Sequence, residues 1–355
     1  MRILVAESAG FSPAAEARLR ELGHVTMADL DQAELLGVVG SADVLVVRLR
    51  NRVNQDVLAA APFLRAVVSP TTGLDHLELA ALDRRGIAVL SLRGELEFLR
   101  RVPATAEHTW ALLLALARRL VAAASAARSG DWDRDRFRGR ELKGKTLGIV
   151  GLGRVGSMVA GYGAAFGMRV VAYDPYLDPW PSATTPGGAG SPGDVPERSP
   201  SLAALLSVSD VVSLHVPLDD GTRGMLDAQA LAQAKPGAVL VNTSRGDVVD
   251  EDALVDAVRS GRLAGAALDV VAGEMGAAGP GASPAVRFAA GDDRILVTPH
   301  IGGATLESME NTEIFMAGKL ARWLRGEPVR VDAGPAAAPL HPPAHSDHPA
   351  PSDAP

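Results

Sequence analysis

The sequence predicts an α/β protein made of two lobes, each built around a parallel β-sheet. In residues 1–92, short apolar runs alternate with helical patterns, which is typical of a small parallel α/β domain. A second series of apolar runs begins near residue 147, directly before a cluster of glycines in the middle of the chain. About 140 residues precede this cluster, roughly the length of one domain. The total of 355 residues allows two to three domains.

The composition indicates a globular protein and excludes several classes of function. Hydrophobic residues make up 47% of the chain and the formal net charge is −7, so neither nucleic acid nor an anionic membrane is an expected partner. The most apolar helical run, Thr109–Ala127, carries Arg118 and Arg119 and is too charged for a membrane span. The absence of cysteine excludes disulfides and thiolate chemistry. No export signal is visible, and we expect a cytoplasmic protein.

The first lobe is predicted from apolar runs separated by helical segments. The predicted strands are Ile3–Ala6, Val44–Val47, Ala66–Val68 and Ala88–Leu90. The helices predicted between them are Pro13–Leu22, Gln55–Ala60 and Leu77–Arg84. Strands that alternate with helices form a parallel sheet, and we expect a flavodoxin-like arrangement.

The glycine cluster in the segment GKTLGIVGLGRVG, residues 144–156, has the pattern of a dinucleotide-binding turn. Gly151, Gly153 and Gly156 follow an apolar strand at G-x-G-x-x-G spacing and open a helix. One glycine allows the tight turn, one lets the backbone approach a pyrophosphate, and one lets the helix pack on the strand. The pyrophosphate charge is then stabilised by the helix N-terminus. Asp174 ends the next apolar strand, MRVVAYD, where its carboxylate would bind the ribose hydroxyls and repel a 2′-phosphate, which favours NAD over NADP.

The elements that follow predict a Rossmann domain inserted into the first lobe. Its strands are expected near residues 147–150, 169–173, 211–214, 238–241 and 265–268 and at Leu296–Thr298. A long helix, roughly Ala104–Arg128, leads into this domain, and a helix at Leu306–Leu324 returns to the first lobe. We assign residues 103–297 to the NAD-binding Rossmann domain and residues 1–102 and 298–330 to the smaller substrate domain. NAD and a small substrate would meet in a cleft between the two lobes.

Three segments lack the periodicity of regular structure. Asp178–Pro200 and Gly273–Pro284 are rich in glycine and proline and are predicted to be loops. Residues 331–355 form an Ala/Pro/His/Ser tail that is predicted to be disordered. The tail contains His341, His345 and His348, which are better explained by a solvated tail than by a metal site, and we expect no metal.

Hydride transfer to a 2-oxo acid also requires a proton carrier, for which histidine is the usual residue. His300, in VTPHIGGAT, follows a strand at the sheet edge where ligands bind, and is the strongest candidate, with a structural role as the alternative. His215, in SLHVPL, is expected to line the cofactor crevice. His76 follows a turn that could lie near the cleft, and His108 sits in a helix.

The same chemistry requires a cation for the substrate anion and a carboxylate beside the histidine. Arg245, in VLVNTSRG, follows a buried strand directly, and its guanidinium suits a planar carboxylate. Asp269 ends the strand AGAALD, and Glu274 lies five residues further on. A carboxylate hydrogen-bonded to His300 would favour its protonated form.

The order of these motifs resembles the D-isomer-specific 2-hydroxyacid dehydrogenase family, including its phosphoglycerate dehydrogenase-like members. The resemblance runs from about Leu45 to Leu324 through GLGRVG, YDP, SLHVPL, VNTSRGDVVDEDAL, GAALDV and TPHIGGAT. It implies that Arg245 holds the substrate, that His300 exchanges the proton, and that Glu274 pairs with His300.

The resemblance also implies a larger set of contacts with the two ligands. The residues expected around NAD are Thr72, Gly151, Gly153, Arg154, Val155, Gly156, Asp174, His215, Val216, Thr243, Ser244, Asp269, His300, Gly302 and Gly303. The residues expected at the substrate are Arg48, Thr72, Gly73, Leu74 and Arg245.

Two stretches depart from the usual family pattern. After Asp269, the run VVAGEMGAAGP keeps the spacing of Glu274 but replaces the usual aromatic and paired acids. Before the long helix, SLRGELEFLRRVPATAEHT brings Arg93, Arg100 and Arg101, for which solvent exposure is the simpler explanation.

Additional arginines leave room for a substrate with a second anion, such as a phosphate or phosphonate. Arg48, Arg50 and Arg52 follow a strand, and alternate residues of an extended segment face the same way. The alternative is that these side chains are exposed and paired with Asp43 or Asp56.

The sequence therefore predicts an NAD-dependent oxidoreductase acting on the CH–OH group of a small 2-hydroxy acid. The alternative is an NAD-sensing corepressor, which has the same fold and triad but little turnover. The resemblance implies a homodimer. The helix Ala104–Arg128 is apolar on more than one side, which fits burial against a partner, although a single deep core helix would show the same pattern.

Overall fold

The chain divides into two units, one of which is inserted into the sequence of the other. We describe a computed structural model, which covers residues 1–181, 195–274, 276 and 279–334. The first unit comprises Met1–Leu96 together with the described residues from Leu306 to Gly334, and the second comprises Glu97–Thr305. These boundaries lie six to eight residues from those expected from the sequence, 102/103 and 297/298.

The first unit is built on a five-stranded parallel sheet. Its strands are β1 (Arg2–Val5), β2 (His24–Met27), β3 (Val44–Val46), β4 (Ala66–Ser69) and β5 (Ala88–Ser91). They lie in the order β2-β1-β3-β4-β5, which is the flavodoxin-like order predicted for this lobe. Strands β4 and β5 are buried at every residue, as expected for parallel strands covered on both faces.

Four helices connect these strands, and one of them was not predicted. They are α1 (Pro13–Arg20), α2 (Gln32–Val38), α3 (Gln55–Ala60) and α4 (Leu79–Arg84). The unpredicted helix is α2, which begins with a capping box: Asp31 accepts from the Glu34 backbone N–H, and the Glu34 side chain accepts from the Asp31 N–H. The D-x-x-E spacing was the signal that could have identified this helix.

Among its described residues, the second unit is built on a seven-stranded parallel sheet. Its strands are β6 (Thr146–Val150), β7 (Arg169–Tyr173), β8 (Glu197–Arg198), β9 (Val211–Leu214), β10 (Ala238–Asn242), β11 (Leu263–Leu268) and β12 (Ile295–Val297). The order β12-β11-β10-β9-β6-β7-β8 contains the Rossmann order 3-2-1-4-5-6 with β12 added at one edge. This confirms the predicted fold class. The strand order reverses between β6 and β9, where such sheets bind ligands.

Eight α-helices accompany this sheet in the part of the second unit that the structure describes. They are α5 (Leu96–Leu99), α6 (Ala104–Ala117), α7 (Leu120–Arg128), α8 (Arg154–Ala165), α9 (Leu202–Val208), α10 (Ala228–Ala232), α11 (Glu251–Arg259) and α12 (Pro284–Ala289). One apolar cluster packs α6 and α8 against one face of the sheet, and a second packs α9 to α12 against the other. The predicted loop Asp178–Pro200 contains β8, which pairs with β7, so the loop assignment is wrong at that point.

The prediction of one continuous helix over Ala104–Arg128 is wrong. Helix α6 ends at Ala117, and α7 starts at Leu120 after a bend of 64°. Arg119 between them adopts a left-handed backbone conformation with φ 49°. Its guanidinium donates to the Arg136 carbonyl and pairs with Asp293 at 2.7 Å, so tertiary contacts hold the break.

Among the described residues, no single helix is long and apolar enough to cross a membrane. The bent pair Leu96–Ala117 and Leu120–Arg128 reaches that length and apolarity only when both parts are taken together.

The chain returns to the first unit through α13 (Leu306–Leu324), as predicted. Two charged side chains of this helix are buried in the unit. Glu313 accepts from the Ser12 N–H at 2.7 Å, and the Lys319 ammonium donates to the Ser91 carbonyl at 2.8 Å and to Glu95 at 2.6 Å.

The predicted disordered tail starts too early. Ala333 is buried in the core of the first unit, and its carbonyl accepts from the Val89 N–H at 2.9 Å. The Gly334 N–H donates to Asp83 at 3.0 Å. The chain through residue 334 is therefore part of the fold. The rest of the predicted tail, with His341, His345 and His348, lies outside the described residues.

Candidate functional site

Each glycine of the nucleotide-binding turn is required for a different geometric reason. Gly151 follows β6 with φ 87°, and a Cβ there would lie 2.8 Å from the His215 carbonyl oxygen. A Cβ on Gly156 would lie 2.1 Å from the Gly151 oxygen. Gly153 caps α8, and a Cβ there would meet nothing within 4 Å, which leaves open space beside the helix N-terminus. This is the cradle that a pyrophosphate needs.

Asp174 lies beside this turn, directly after β7. One carboxylate oxygen accepts from the Leu152 N–H and the other from the Tyr176 N–H, both at 3.0 Å. A carboxylate has about four acceptor positions, so these two bonds leave others for hydroxyl groups. The turn and the acid together therefore fit a dinucleotide.

Arg154 begins α8, and its guanidinium is hydrogen-bonded to backbone carbonyls. It donates to the carbonyls of Val102 at 2.8 Å and Leu99 at 3.4 Å. Burial of the guanidinium lowers the pKa of Arg154. The side chain thus ties the turn to the segment after α5, and a contact with a dinucleotide would come from the backbone. Val155 beside it packs against the apolar cluster under α6 and α8.

His215 and Val216 follow β9 at the reversal of strand order. The His215 ring nitrogen Nε2 lies 2.8 Å from the Ser213 hydroxyl oxygen. Burial lowers the pKa of His215 to about 3, so the ring is neutral near neutral pH. The Val216 side chain lies 2.9 Å from the position that a Gly151 Cβ would occupy. Both residues therefore border the nucleotide-binding turn, and their contact with NAD stays a prediction.

The segment that carries Arg245 is shaped by Asn242 at the end of β10. The Asn242 amide donates to the Arg245 carbonyl at 2.9 Å, and its oxygen accepts from the Ser244 N–H at 3.0 Å. Thr243 lies 2.8 Å, oxygen to oxygen, from Thr109 of α6. The Arg245 guanidinium donates to the Ser244 carbonyl at 2.6 Å. These bonds fix the turn on which the candidate substrate-binding arginine lies.

Asp269, after the neighbouring strand β11, shapes the loop that carries His300. Its buried carboxylate accepts from the Ile301 N–H at 2.9 Å and the Gly302 N–H at 2.7 Å. Thr298 donates to it at 2.7 Å, and His108 Nε2 lies at 3.1 Å. These four contacts show that the Asp269 carboxylate organises the loop. The position of Asp269 at the end of a predicted strand did not indicate this role.

The structure brings His300 and Glu274 together. Nδ1 of His300 lies 2.6 Å from a Glu274 carboxylate oxygen, and the two side chains are 26% and 19% exposed. His300 has φ 54°, and its N–H donates to the Asp269 carbonyl at 2.8 Å. Because Nδ1 is held by the carboxylate, Nε2 is the ring nitrogen that can exchange a proton. Gly303, on the same loop, has open space where a Cβ would lie.

Gly246 brings the Arg245 turn against the loop that carries Glu274. A Cβ at this position would lie 2.0 Å from the Val271 carbonyl carbon and 2.3 Å from the Ala272 nitrogen. Only glycine allows this approach. Arg245, Glu274 and His300 therefore follow three adjacent strands, β10, β11 and β12, at the carboxyl edge of one sheet.

Sequence reasoning missed Glu251, which is buried at the start of α11. Its carboxylate accepts from the Ala272 N–H at 2.6 Å, from the Ser283 hydroxyl and from the Ala285 N–H at 3.5 Å. The motif VNTSRGDVVDEDAL contributed only to the family resemblance, because loop contacts of this kind depend on tertiary structure. His108 was noted only as a helical residue, since its neighbour Asp269 is distant in sequence.

The predicted row of three arginines in the first unit is wrong. Residues 48–52 are not extended, because they bend around Glu7, whose carboxylate accepts from the Leu49, Arg50 and Asn51 N–H groups. The Arg48 guanidinium donates to the carbonyls of Glu7 and Ala9 and lies 3.6 Å from Glu313.

The other arginines considered for a second anion do not form a charged row either. Arg50 pairs with Asp29 at 2.8 Å, so its partner is neither Asp43 nor Asp56, and the Arg52 N–H donates to Gln32 at 2.8 Å. Arg93, Arg100 and Arg101 are exposed, in agreement with the simpler explanation.

The loop after β4 contains the other residues of the first unit that were expected at the ligands. The Thr71 hydroxyl donates to the Gly73 carbonyl at 2.8 Å, and Ser69 lies within hydrogen-bond distance of both Thr71 and His76. Thr72 is exposed, whereas Leu74 is buried in the core of the unit. The Leu74 side chain is part of that core, so any ligand contact at this residue would involve its backbone.

Comparison with known proteins identifies relatives of the same architecture. Residues 110–302 match the family description "D-isomer specific 2-hydroxyacid dehydrogenase, NAD binding domain". The chain is 39% identical over 308 residues to D-3-phosphoglycerate dehydrogenase of Mycobacterium leprae, covering 86% of this chain and 54% of that protein. It is 34% identical over 301 residues to hydroxypyruvate reductase of Thermotoga maritima, covering 85% and 91% of the two chains.

A solved structure gives the same result. D-lactate dehydrogenase from Aquifex aeolicus, complexed with NAD and lactic acid, matches with a TM-score of 0.77 at 28% identity over 92% of this chain and 96% of that one. The chain spans little more than half the length of the mycobacterial relative, and nearly all of the Thermotoga and Aquifex proteins. The chain belongs to the D-isomer-specific 2-hydroxyacid dehydrogenase family, and residues 110–302 contain its NAD-binding domain.

Proposed function

We propose that this protein is an NAD-dependent dehydrogenase that interconverts a small 2-hydroxy acid and the corresponding 2-oxo acid. The observation that carries the proposal is the His300–Glu274 pair, at 2.6 Å, at the same sheet edge as Arg245. When bound, NAD supplies the hydride acceptor at its nicotinamide ring. The protein must supply a cation for the substrate carboxylate and a group that exchanges the hydroxyl proton.

The roles of the three side chains follow from their chemistry. The Arg245 guanidinium offers paired N–H donors that match a planar carboxylate. Nε2 of His300 accepts the proton of the hydroxyl group during oxidation and returns it during reduction. Glu274 holds Nδ1, which fixes the ring orientation and stabilises the imidazolium that forms.

Most of the residues that would hold the cofactor belong to the second unit. Backbone N–H groups at the start of α8, a helix of 12 residues, would face the pyrophosphate group, and Gly153 leaves space for it. Asp174 would accept hydrogen bonds from the ribose hydroxyls. His215, Val216, Thr243 and Ser244, near the ends of β9 and β10, would border the rest of the dinucleotide.

The relatives favour an enzyme over the corepressor alternative, since those named above are described as dehydrogenases or a reductase. They also leave the substrate open between phosphoglycerate, hydroxypyruvate and lactate. A second anion on the substrate is supported by the phosphoglycerate relative, and no longer by a row of arginines, because Arg48 and Arg50 have partners within the first unit.

The proposal is tested by following NADH absorbance with matched 2-oxo acids: pyruvate, hydroxypyruvate and 3-phosphohydroxypyruvate. We expect NADH consumption with at least one of them, and the ratios of kcat/KM identify whether a second anion is recognised. A stoichiometric NADH complex with no turnover on any 2-oxo acid would favour the corepressor alternative instead.

We also propose that the protein acts as a homodimer in the cytoplasm. Support for a dimer comes from exposed apolar side chains after the break in the long helix: Leu120 is 58% exposed, Val121 56% and Trp132 86%. Sedimentation at micromolar concentration should give the mass of two chains, and a monomer mass would reject the dimer. Fractionation of cells at native expression tests the location.

A further inference from the structure

Glu251 is a buried carboxylate with no role in the chemistry proposed above. It is 5% exposed and lies in the first turn of α11, six residues after Arg245. No cation pairs with it among the described residues. Burial of an unpaired charge is costly unless hydrogen bonds compensate for it. The Glu251 carboxylate accepts three hydrogen bonds, and their donors indicate what this residue holds in place.

The three donors come from both sides of the segment that carries Glu274. Ala272, two residues before Glu274, donates its N–H to one carboxylate oxygen at 2.6 Å. The Ser283 hydroxyl and the Ala285 N–H, after Glu274 in sequence, donate to the other oxygen. One side chain therefore joins the two ends of the loop between β11 and α12.

The joined loop carries the partner of His300. Glu274 is displaced if Ala272 moves, because only Gly273 separates the two residues, and the 2.6 Å contact with His300 is sensitive to small displacements. Gly246 packs directly on Val271 and Ala272, so the same few residues also support the Arg245 turn.

We propose that Glu251 is a positioning residue that holds Glu274 against His300 by fixing both ends of its loop. The inference rests on the proposed function, because it takes the role of the loop to be the positioning of Glu274 for proton exchange by His300. Glu251 contacts neither reacting atoms nor a bound ligand in this role.

Three variants distinguish the positioning role of Glu251, which we call the clamp, from general effects of mutation. Glu251→Ala removes all three bonds. Glu251→Gln keeps an acceptor for Ala272 and presents an amide that the Ser283 oxygen can accept from. Asp252→Asn is the matched control, because it removes a carboxylate from the same helical turn at an exposed position.

The first readout is kinetic. A misplacement of about 1 Å costs up to ~100-fold in rate, so Glu251→Ala should lower kcat about 10- to 100-fold while the Kd of NADH stays within about twofold. Glu251→Gln should recover most of the loss, and Asp252→Asn should behave as the wild type. A merely structural role would lower the melting temperature without moving kcat.

The second readout does not depend on turnover. The His300 Nδ1 proton in a short hydrogen bond to a carboxylate should give a downfield imidazole N–H signal in the NMR spectrum, identified by its loss in His300→Asn. Loss of the signal in Glu251→Ala and its retention in Asp252→Asn would support the clamp.

An unchanged N–H signal and an unchanged kcat in folded Glu251→Ala would overturn the proposal. If Glu251→Ala does not fold, Ser283→Ala decides, because an unchanged N–H signal and an unchanged kcat in this variant would also overturn the proposal. If the wild type shows no turnover with any 2-oxo acid, the proposed dehydrogenase function fails, yet the N–H signal still tests the clamp.

Discussion

His300 is held in a backbone conformation that is unfavourable for any residue with a side chain. Its φ of 54° costs about 1–2 kcal/mol for an L-residue. Asp269 compensates by accepting from the two N–H groups that follow, those of Ile301 and Gly302. The cost is expected where a loop must direct a reactive side chain toward a ligand.

Asp174 is expected to determine the choice of dinucleotide. Its carboxylate would repel the 2′-phosphate of NADP, so NADPH should bind at least ~10-fold more weakly than NADH, a difference of about 1.4 kcal/mol or more. Titration of the protein with each reduced dinucleotide measures the ratio. Asp174→Asn, which keeps an acceptor for the Leu152 N–H, should reduce the preference for NADH over NADPH. Equal affinity of the wild type for both would show that the carboxylate does not contact the ribose.

His215 should make stability depend on pH. Burial lowers its pKa from 6.5 to about 3 in the folded protein. Between these values the unfolded chain binds a proton that the folded protein does not, so the free energy of unfolding falls as pH decreases, by up to about 1.4 kcal/mol per pH unit. His215→Gln lacks this proton uptake, and its denaturant unfolding should be less pH-dependent between pH 6 and 4. If the free energies of unfolding of the wild type and His215→Gln changed equally with pH, the predicted effect of His215 would be contradicted.

At the scale of elements, close packing between two loops should be essential for catalysis. In Gly246→Ala the new Cβ would lie 2.0 Å from the Val271 carbonyl carbon, so one loop must move. We expect kcat/KM to fall about 10- to 100-fold, with NADH affinity nearly unchanged, because the nucleotide-binding turn lies at another strand. Gly37→Ala, in the exposed part of α2 with no atom within 4 Å, is the control. Full activity of Gly246→Ala would contradict the packing argument.

The sequence predicted elements better than it predicted side-chain contacts. Buried strands and the glycine turn have local signatures, and ends of neighbouring parallel strands meet at one sheet edge, which is why Arg245 and His300 could be selected. The break at Arg119 could not be predicted, because its partner Asp293 is 174 residues away. The bend at residues 48–52 depends in the same way on Glu7, which is distant in sequence. The position of the Arg154 guanidinium depends on carbonyls that precede α6.

At the scale of the whole molecule, the last helix returns to complete the first unit. Glu313 of α13 is buried, and desolvation raises its pKa, while the Ser12 N–H and Arg48 favour its charged form. Lys319 of the same helix reaches Ser91 and Glu95. The first unit therefore depends on contacts between segments about 230 to 300 residues apart.

Arg48→Met tests whether this arginine serves the fold. Removing the partner of a buried charge costs about 3–5 kcal/mol, so the free energy of unfolding should fall by roughly that amount at pH 7.5. Because the raised pKa of Glu313 favours protonation as pH decreases, the loss should be smaller at pH 5. Denaturant unfolding of the wild type and Arg48→Met at pH 7.5 and at pH 5 gives the loss of stability at each pH. An unchanged stability, accompanied by a raised KM, would assign Arg48 to the substrate instead.

The account depends most directly on His300 as the proton-exchanging residue. The decisive measurement compares wild type and His300→Asn in single-turnover oxidation of NADH by the preferred 2-oxo acid, with NADH affinity measured in parallel. Proton transfer by a positioned group contributes about 10²- to 10⁴-fold, so the variant should lose at least ~100-fold in rate while its Kd for NADH stays within about twofold. A rate within about threefold of wild type would show that another group exchanges the proton and would contradict the proposed site.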